Sequence, residues 1–135
     1  MLARATDAAR RIPVCRGGSH LTFWHCGCRF KSSRIDLAAN TANQVLVAAP
    51  GAGKQIWVFG IFMMADTAAG TVTLQDEDDT ALSGTMAVGD EDGWVLPMSG
   101  NFAMPWIKVA TNKALEADTG ACTVDGIITY AVVSV

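Results

Sequence analysis

"AAPGAGKQIWVFGIFMM", residues 48–64, decides the fold. Its "GAGK" resembles the end of a phosphate-binding loop. Such a loop needs Gly, four residues and then Gly-Lys-Ser/Thr, so that backbone N–H groups wrap the phosphates while the hydroxyl holds magnesium. Ala48 stands where the first Gly belongs, and Gln55 where the hydroxyl belongs. A phosphate loop also opens a helix, whereas "QIWVFGIFMM" is dense in β-branched and aromatic residues and reads as a strand. The stretch therefore predicts two strands, "VLVAA" and "QIWVFGIFMM", joined by a Pro-Gly-Ala-Gly turn. In it Pro50 presets φ, and Gly51 and Gly53 are free to take positive φ.

Outward from that stretch the same grammar continues. From residue 43 the apolar runs are "NQVLVAA", "QIWVFGIFMM", "GTVTLQ", "TALSGTMAV", "GWVLPM", "PWIKVAT", "KALEAD" and "CTVDGIITYAVVSV", separated by turn residues every 8–14 positions. That spacing predicts an all-β, antiparallel, jelly-roll-like β-sandwich. In "TVTLQ" Val72 and Leu74 alternate with Thr71, Thr73 and Gln75, as expected of a strand with one wet face. "IWVFGIFMM" and the last strand are apolar on both faces: in "GIITYAVVSV" Ile127, Thr129, Ala131 and Val133 alternate with Ile128, Tyr130 and Val132. A two-layer sandwich buries one face of each sheet, so two-faced strands predict an outer sheet surface covered by another chain.

At 135 residues the chain fits one domain. Half the residues are apolar and 17% are charged, little polar material for covering a lone monomer, which points to self-association. No apolar run reaches 18 residues and the first 30 lack a compact hydrophobic stretch, so neither a membrane partner nor a signal peptide is expected. The net charge of −3 hides an asymmetry. Residues 1–34 hold seven bases (Arg4, Arg10, Arg11, Arg16, Arg29, Lys31, Arg34) and one acid, net +6; residues 35–135 hold three bases and twelve acids, net −9. We therefore read a basic N-terminal arm over 1–34, with "MLARATDAARRI" as a marginal short helix, and a β-sandwich domain over 35–135.

The arm carries Cys15, His20, His25, Cys26 and Cys28, a thiolate and imidazole inventory suited to zinc. Cys15, His25, Cys26 and Cys28 would be the ligands, but the C-G-C spacing is a less usual chelate than C-x2-C, and disulfides or free thiols suit the same residues. A Cys-His catalytic pair needs an orienting third group. No serine nucleophile elbow, catalytic carboxylate pair or glycine-rich cofactor loop accompanies it, so the chain reads as a non-enzyme with no cofactor. Two acidic clusters, Asp76–Asp79 and Asp90–Asp92, flank "TALSGTMAV" and would bind calcium only if six or more oxygens converged; solvated loops are the favoured reading. Trp57, Trp94 and Trp106 raise an alternative, a carbohydrate-binding sandwich with tryptophans on an exposed sheet.

The segments "AANTANQVLVAAPGAGKQIWVFGIFMMA", "GTVTLQDEDDTALSGTMAV", "GWVLPMSGNFAMPW" and "ALEADTGACTVDGIITYAVV", in that order, resemble the small β-sandwich virion proteins of tailed bacteriophages. The points of likeness are an Asn-Gln strand opening before a short Gly-containing hairpin, a "TVTLQD" strand before a "TALSG" turn, and a "VLP" strand edge before an aromatic, all within residues 36–135. The resemblance implies a capsid cement or decoration protein on the virion surface, a homotrimer bound to the major capsid protein or other virion proteins, assembled in the host cytoplasm. A neck, tail or baseplate adaptor or fibre protein is the alternative. Such a protein sits outside the shell, so nucleic acid is not an expected partner. The arm departs from the short leaders of such proteins. Its bases Arg4, Arg10, Arg11, Arg16 and Arg29, with Phe23, Trp24 and Phe30, are expected to dock on a coat protein or on a sister subunit's acidic body.

Overall fold

The computed structural model describes residues 29–135. Nine strands run in order: β1 (Lys31–Leu37), β2 (Gln44–Val47), β3 (Lys54–Ala65), β4 (Gly70–Asp76), β5 (Met86–Val88), β6 (Gly93–Leu96), β7 (Ile107–Lys108), β8 (Leu115–Thr119) and β9 (Val124–Ser134). The first sheet has the order β1-β9-β3-β6, with β7 also paired to β3; the second has the order β2-β8-β4-β5. Every pairing is antiparallel. This is the two-sheet order of a jelly roll, in which the chain changes sheet at most connections.

The Pro-Gly-Ala-Gly turn takes the predicted conformations, φ of 96° at Gly51 and 69° at Gly53, and the Lys54 N–H donates to the Gly51 carbonyl at 3.2 Å. It does not close a hairpin, however. β2 pairs with β8 and β3 with β9, β6 and β7, so the turn carries the chain from one sheet to the other. Strand β1 was not among the predicted runs. It lies across the charge boundary at residue 34, pairs with β9 over its whole length and forms an edge of the first sheet. Its burial alternates, with Ile35 and Leu37 inward and Arg34 and Asp36 outward.

Between the sheets lies one core in which Ile35, Ile56, Val58, Ile61, Met63, Val72, Leu74, Leu115, Val124 and Ile128 are buried. Each such side chain contributes about 1.5–3 kcal/mol by leaving water. The Gln44 side chain ties the β1–β2 connection to this body. Its Nε2 donates to the carbonyls of Ala38 (3.0 Å) and Thr41 (3.2 Å) and to Thr119 Oγ1 (3.0 Å), while its Oε1 accepts from the Ala38 N–H at 2.7 Å.

Strand β3 departs from simple alternation. Its register against β9 shifts between Val58 and Gly60, leaving Phe59 as an extra residue. Val58 and Ile61 therefore both face the main core, while Trp57 and Phe59 belong to a second, smaller cluster outside the first sheet. Gly60 beside the bulge makes room for the β6–β7 connection, since an added Cβ would stand 3.4 Å from Met98 Cα.

Candidate docking face

The two outer sheet faces differ in chemistry. On the second sheet, Gln75 lies opposite Glu116, and Gln75 Nε2 donates to Asn43 Oδ1 (2.7 Å) and Asp79 Oδ1 (3.2 Å). Lys113 Nζ donates to Asp78 Oδ1 at 2.9 Å and pairs with Glu77 Oε1 at 3.2 Å. These carboxylates, the Asp78 contact first, hold the Lys113 ammonium above its ordinary range. Glu116 is 8% exposed, and its carboxyl is pushed up by burial first and then by Glu77, Asp79, Asp118 and Asp76. This face is acidic and polar.

The outer face of the first sheet is apolar along β3, and Ser32, Arg34 and Asp36 of β1 with Thr129 and Asp125 of β9 make its β1 side polar. At one end Phe59, fully buried, stacks on Phe102 at 5.0 Å and meets Phe30 edge-on at 5.0 Å, with Trp57 5.7 Å from Phe102. Lys108 Nζ sits 4.4 Å over the Trp57 ring. The β6–β7 connection supplies Phe102 and is braced by Ser99 Oγ donating to the Met104 carbonyl (2.8 Å) and Trp106 Nε1 donating to the Pro97 carbonyl (2.7 Å). Ala131 and Val133 of β9 complete this small core, so part of the two-faced character of β3 and β9 is satisfied within the chain.

At the other end the face is open. Register places Val95, Phe62 and Ile127 directly opposite one another across β6, β3 and β9, and they are 56%, 46% and 55% exposed. Directly opposed residues share a face. Arg34 of β1 continues this row, and the next row holds Met64, Asp125 and Asp36. The Arg34 guanidinium pairs with Asp36 at 2.9 Å and Asp125 at 3.5 Å, both at the surface. From Val95 to Ile107 no residue is charged, and Met98 and Trp106 in that segment are each half exposed.

Of the residues assigned to partner binding, Arg29 and Phe30 fall within the described chain. Phe30 packs on its own sheet against Phe59 and Phe102. Arg4, Arg10, Arg11, Arg16, Phe23 and Trp24, the candidate ligands Cys15, His25, Cys26 and Cys28, and the short N-terminal helix lie outside the described residues. The two acidic loops do not converge. Asp76 ends β4, whereas Val88, just before Asp90–Asp92, pairs with Gly70 at the start of that strand. Asp76 Oδ1 instead accepts from the Asp78 and Thr80 N–H groups, both at 3.0 Å, and among the described residues no His/Cys/Asp/Glu group is arranged to hold a metal ion. The three tryptophans do not form one platform either. Trp94 packs against the main core, Trp57 lies under Lys108 and beside Phe102, and Trp106 is exposed.

Sequence reasoning anticipated a covered outer face on β3 and β9 but missed the parts of β1, β6 and the 97–106 loop that frame it. The uncharged run from Val95 to Ile107 was the signal available for the last two.

No family model and no curated protein matches the chain. Among solved structures it is similar to a chain of the cryo-EM structure of the giant freshwater prawn Macrobrachium rosenbergii extra small virus (XSV) VLP, with 13% identity, a TM-score of 0.34, and coverage of 97% of this chain and 95% of that one. A likeness of that size does not establish a shared function.

Proposed function

We propose that this chain is a structural protein of a tailed-phage particle: a homotrimeric cement or decoration protein on the virion surface that bridges neighbouring coat subunits. The jelly-roll order of the two sheets is compatible with this role but is shared by capsid, lectin and cupin domains, so the fold alone does not choose among them. The outer face of the first sheet supports the reading. Its uncharged, half-exposed Val95–Phe62–Ile127 row suits contact with another protein subunit, and the scattered tryptophans offer no flat sugar platform.

The mechanism is passive. Each assembled unit touches several coat subunits at once, and multivalent contact resists outward pressure from a packaged genome without any one contact being tight. The basic segment supplies a second contact in this reading: Arg4, Arg10, Arg11, Arg16 and Arg29 meet acidic surface while Phe23 and Trp24 enter an apolar groove.

Particles assembled without this chain provide the test. Purified protein added to them should cosediment, with binding weakened by salt and by deletion of the basic segment. Failure of the intact protein to bind such particles at any salt concentration would refute the virion role.

A further inference from the structure

We infer that the open end of the first sheet's outer face, centred on the Val95–Phe62–Ile127 row, is where a second copy of this chain docks. This deepens the reading of the chain as an assembling virion subunit and rests on it. Val95, Phe62, Ile127, Met64, Met98 and Trp106 are each about half exposed. Together they offer roughly 500–600 Å² of apolar surface, against roughly 800 Å² per partner in a standard protein interface. With the charged rim included, the face is large enough for a stable contact. It is also at the upper end of what a free monomer leaves to water.

The rim points to a like partner. Arg34 extends the apolar row, and Asp125 and Asp36 stand in the next row on the same edge. Within one copy Arg34 already pairs with Asp36 and Asp125 at the surface, and docking exchanges these pairs, Arg34 of one copy meeting the Asp125 or Asp36 position of the next. A surface with both halves of its own ion pair is complementary to itself, as contacts around a rotation axis require. Met64 and Met98 suit such a contact because unbranched, polarizable side chains adapt to an identical neighbour.

The test is the solution mass of the full chain at tens of micromolar, beside Phe62→Asp and Val45→Asp. Val45 is a comparably exposed apolar residue on β2 of the second sheet and serves as the control. Circular dichroism confirms that each variant is folded. The expected result is a multiple of 14.2 kDa for the wild type and for Val45→Asp, and 14.2 kDa for Phe62→Asp. Should Phe62→Asp fail to fold, Arg34→Asp and Asp125→Arg substitute for it: each alone should lose mass, and the double variant carrying both, which restores opposite charges at every contact, should regain it. A wild type that stays at 14.2 kDa overturns the inference in favour of another occupant, as does a folded Phe62→Asp of unchanged mass, or Arg34→Asp and Asp125→Arg of unchanged mass. Virion binding by a protein that never self-associates would leave the virion reading standing without this interface. Self-association without virion binding would do the reverse.

Discussion

Replacing Phe59 by alanine should be among the most damaging single changes in the chain, although Phe59 belongs to the outer face of the sheet and not to the core between the sheets. The residue is fully buried, stacked on Phe102 at 5.0 Å and edge-on to Phe30 at 5.0 Å. Emptying such a site costs about 3–5 kcal/mol, including the cavity left behind and the lost aromatic contacts. That is a large share of the roughly 5–15 kcal/mol that holds a domain folded. Phe62, three residues on, is 46% exposed, and its truncation should cost about half as much. Urea unfolding followed by tryptophan fluorescence reads both. Protein concentration should be kept low so that assembly does not add to the apparent stability. Phe59→Ala should lower the midpoint by about 2–3 M at the slope usual for a domain of this size, with the slope unchanged. A shift below about 0.5 M would show that the Phe30–Phe59–Phe102 cluster is not closed over the sheet.

Three further outcomes follow from the rest of the molecule. Gln44→Ala removes four hydrogen bonds between the β1–β2 connection and its surroundings and should cost about 1–3 kcal/mol, seen as a fall in Tm; an unchanged Tm would mean that water replaces the clamp. Glu116→Gln should stabilise the protein at neutral pH. Burial and four neighbouring carboxylates raise the Glu116 pKa in the folded state, so the folded protein binds the extra proton and wild-type stability falls as pH rises through that raised value. The variant's advantage should shrink as pH drops below the ordinary carboxylate range, and a variant no more stable than wild type at pH 7 would contradict the crowding. Calcium and chelator should both leave Tm unchanged, because the two acidic loops sit at opposite ends of β4; a rise of several degrees with calcium would show a site that binds the native state.

Much of the architecture was legible in the sequence because turn residues and period-two alternation are local signals. The long strands β3 and β9 and the positive φ at Gly51 and Gly53 are of this kind. Strand β1 escaped notice because only Ile35 and Leu37 face the core, and the charges on its outer face look like those of a tail. Which sheet a strand joins was not legible. A Pro-Gly-Ala-Gly turn is compatible with a hairpin or with a crossing between sheets, and the choice is made by the long-range pairing of β3 with β9. The same holds for the outer face. Two-sided apolarity announced a cover, but the cover over Phe59 comes from Phe102, more than forty residues away in sequence, and only the folded chain shows where that cover stops.

The central claim, that this chain is an assembling subunit of a phage shell, is tested most directly by searching for it in an electron-microscopy map of the phage particles released from cells that express it. The account predicts many symmetry-related copies on the outer surface of the shell, clustered in threes, with the Val95–Phe62–Ile127 row turned toward the neighbouring copy. A few copies confined to the neck or tail would contradict the cement role, and particles that contain none of the chain would contradict the virion role altogether.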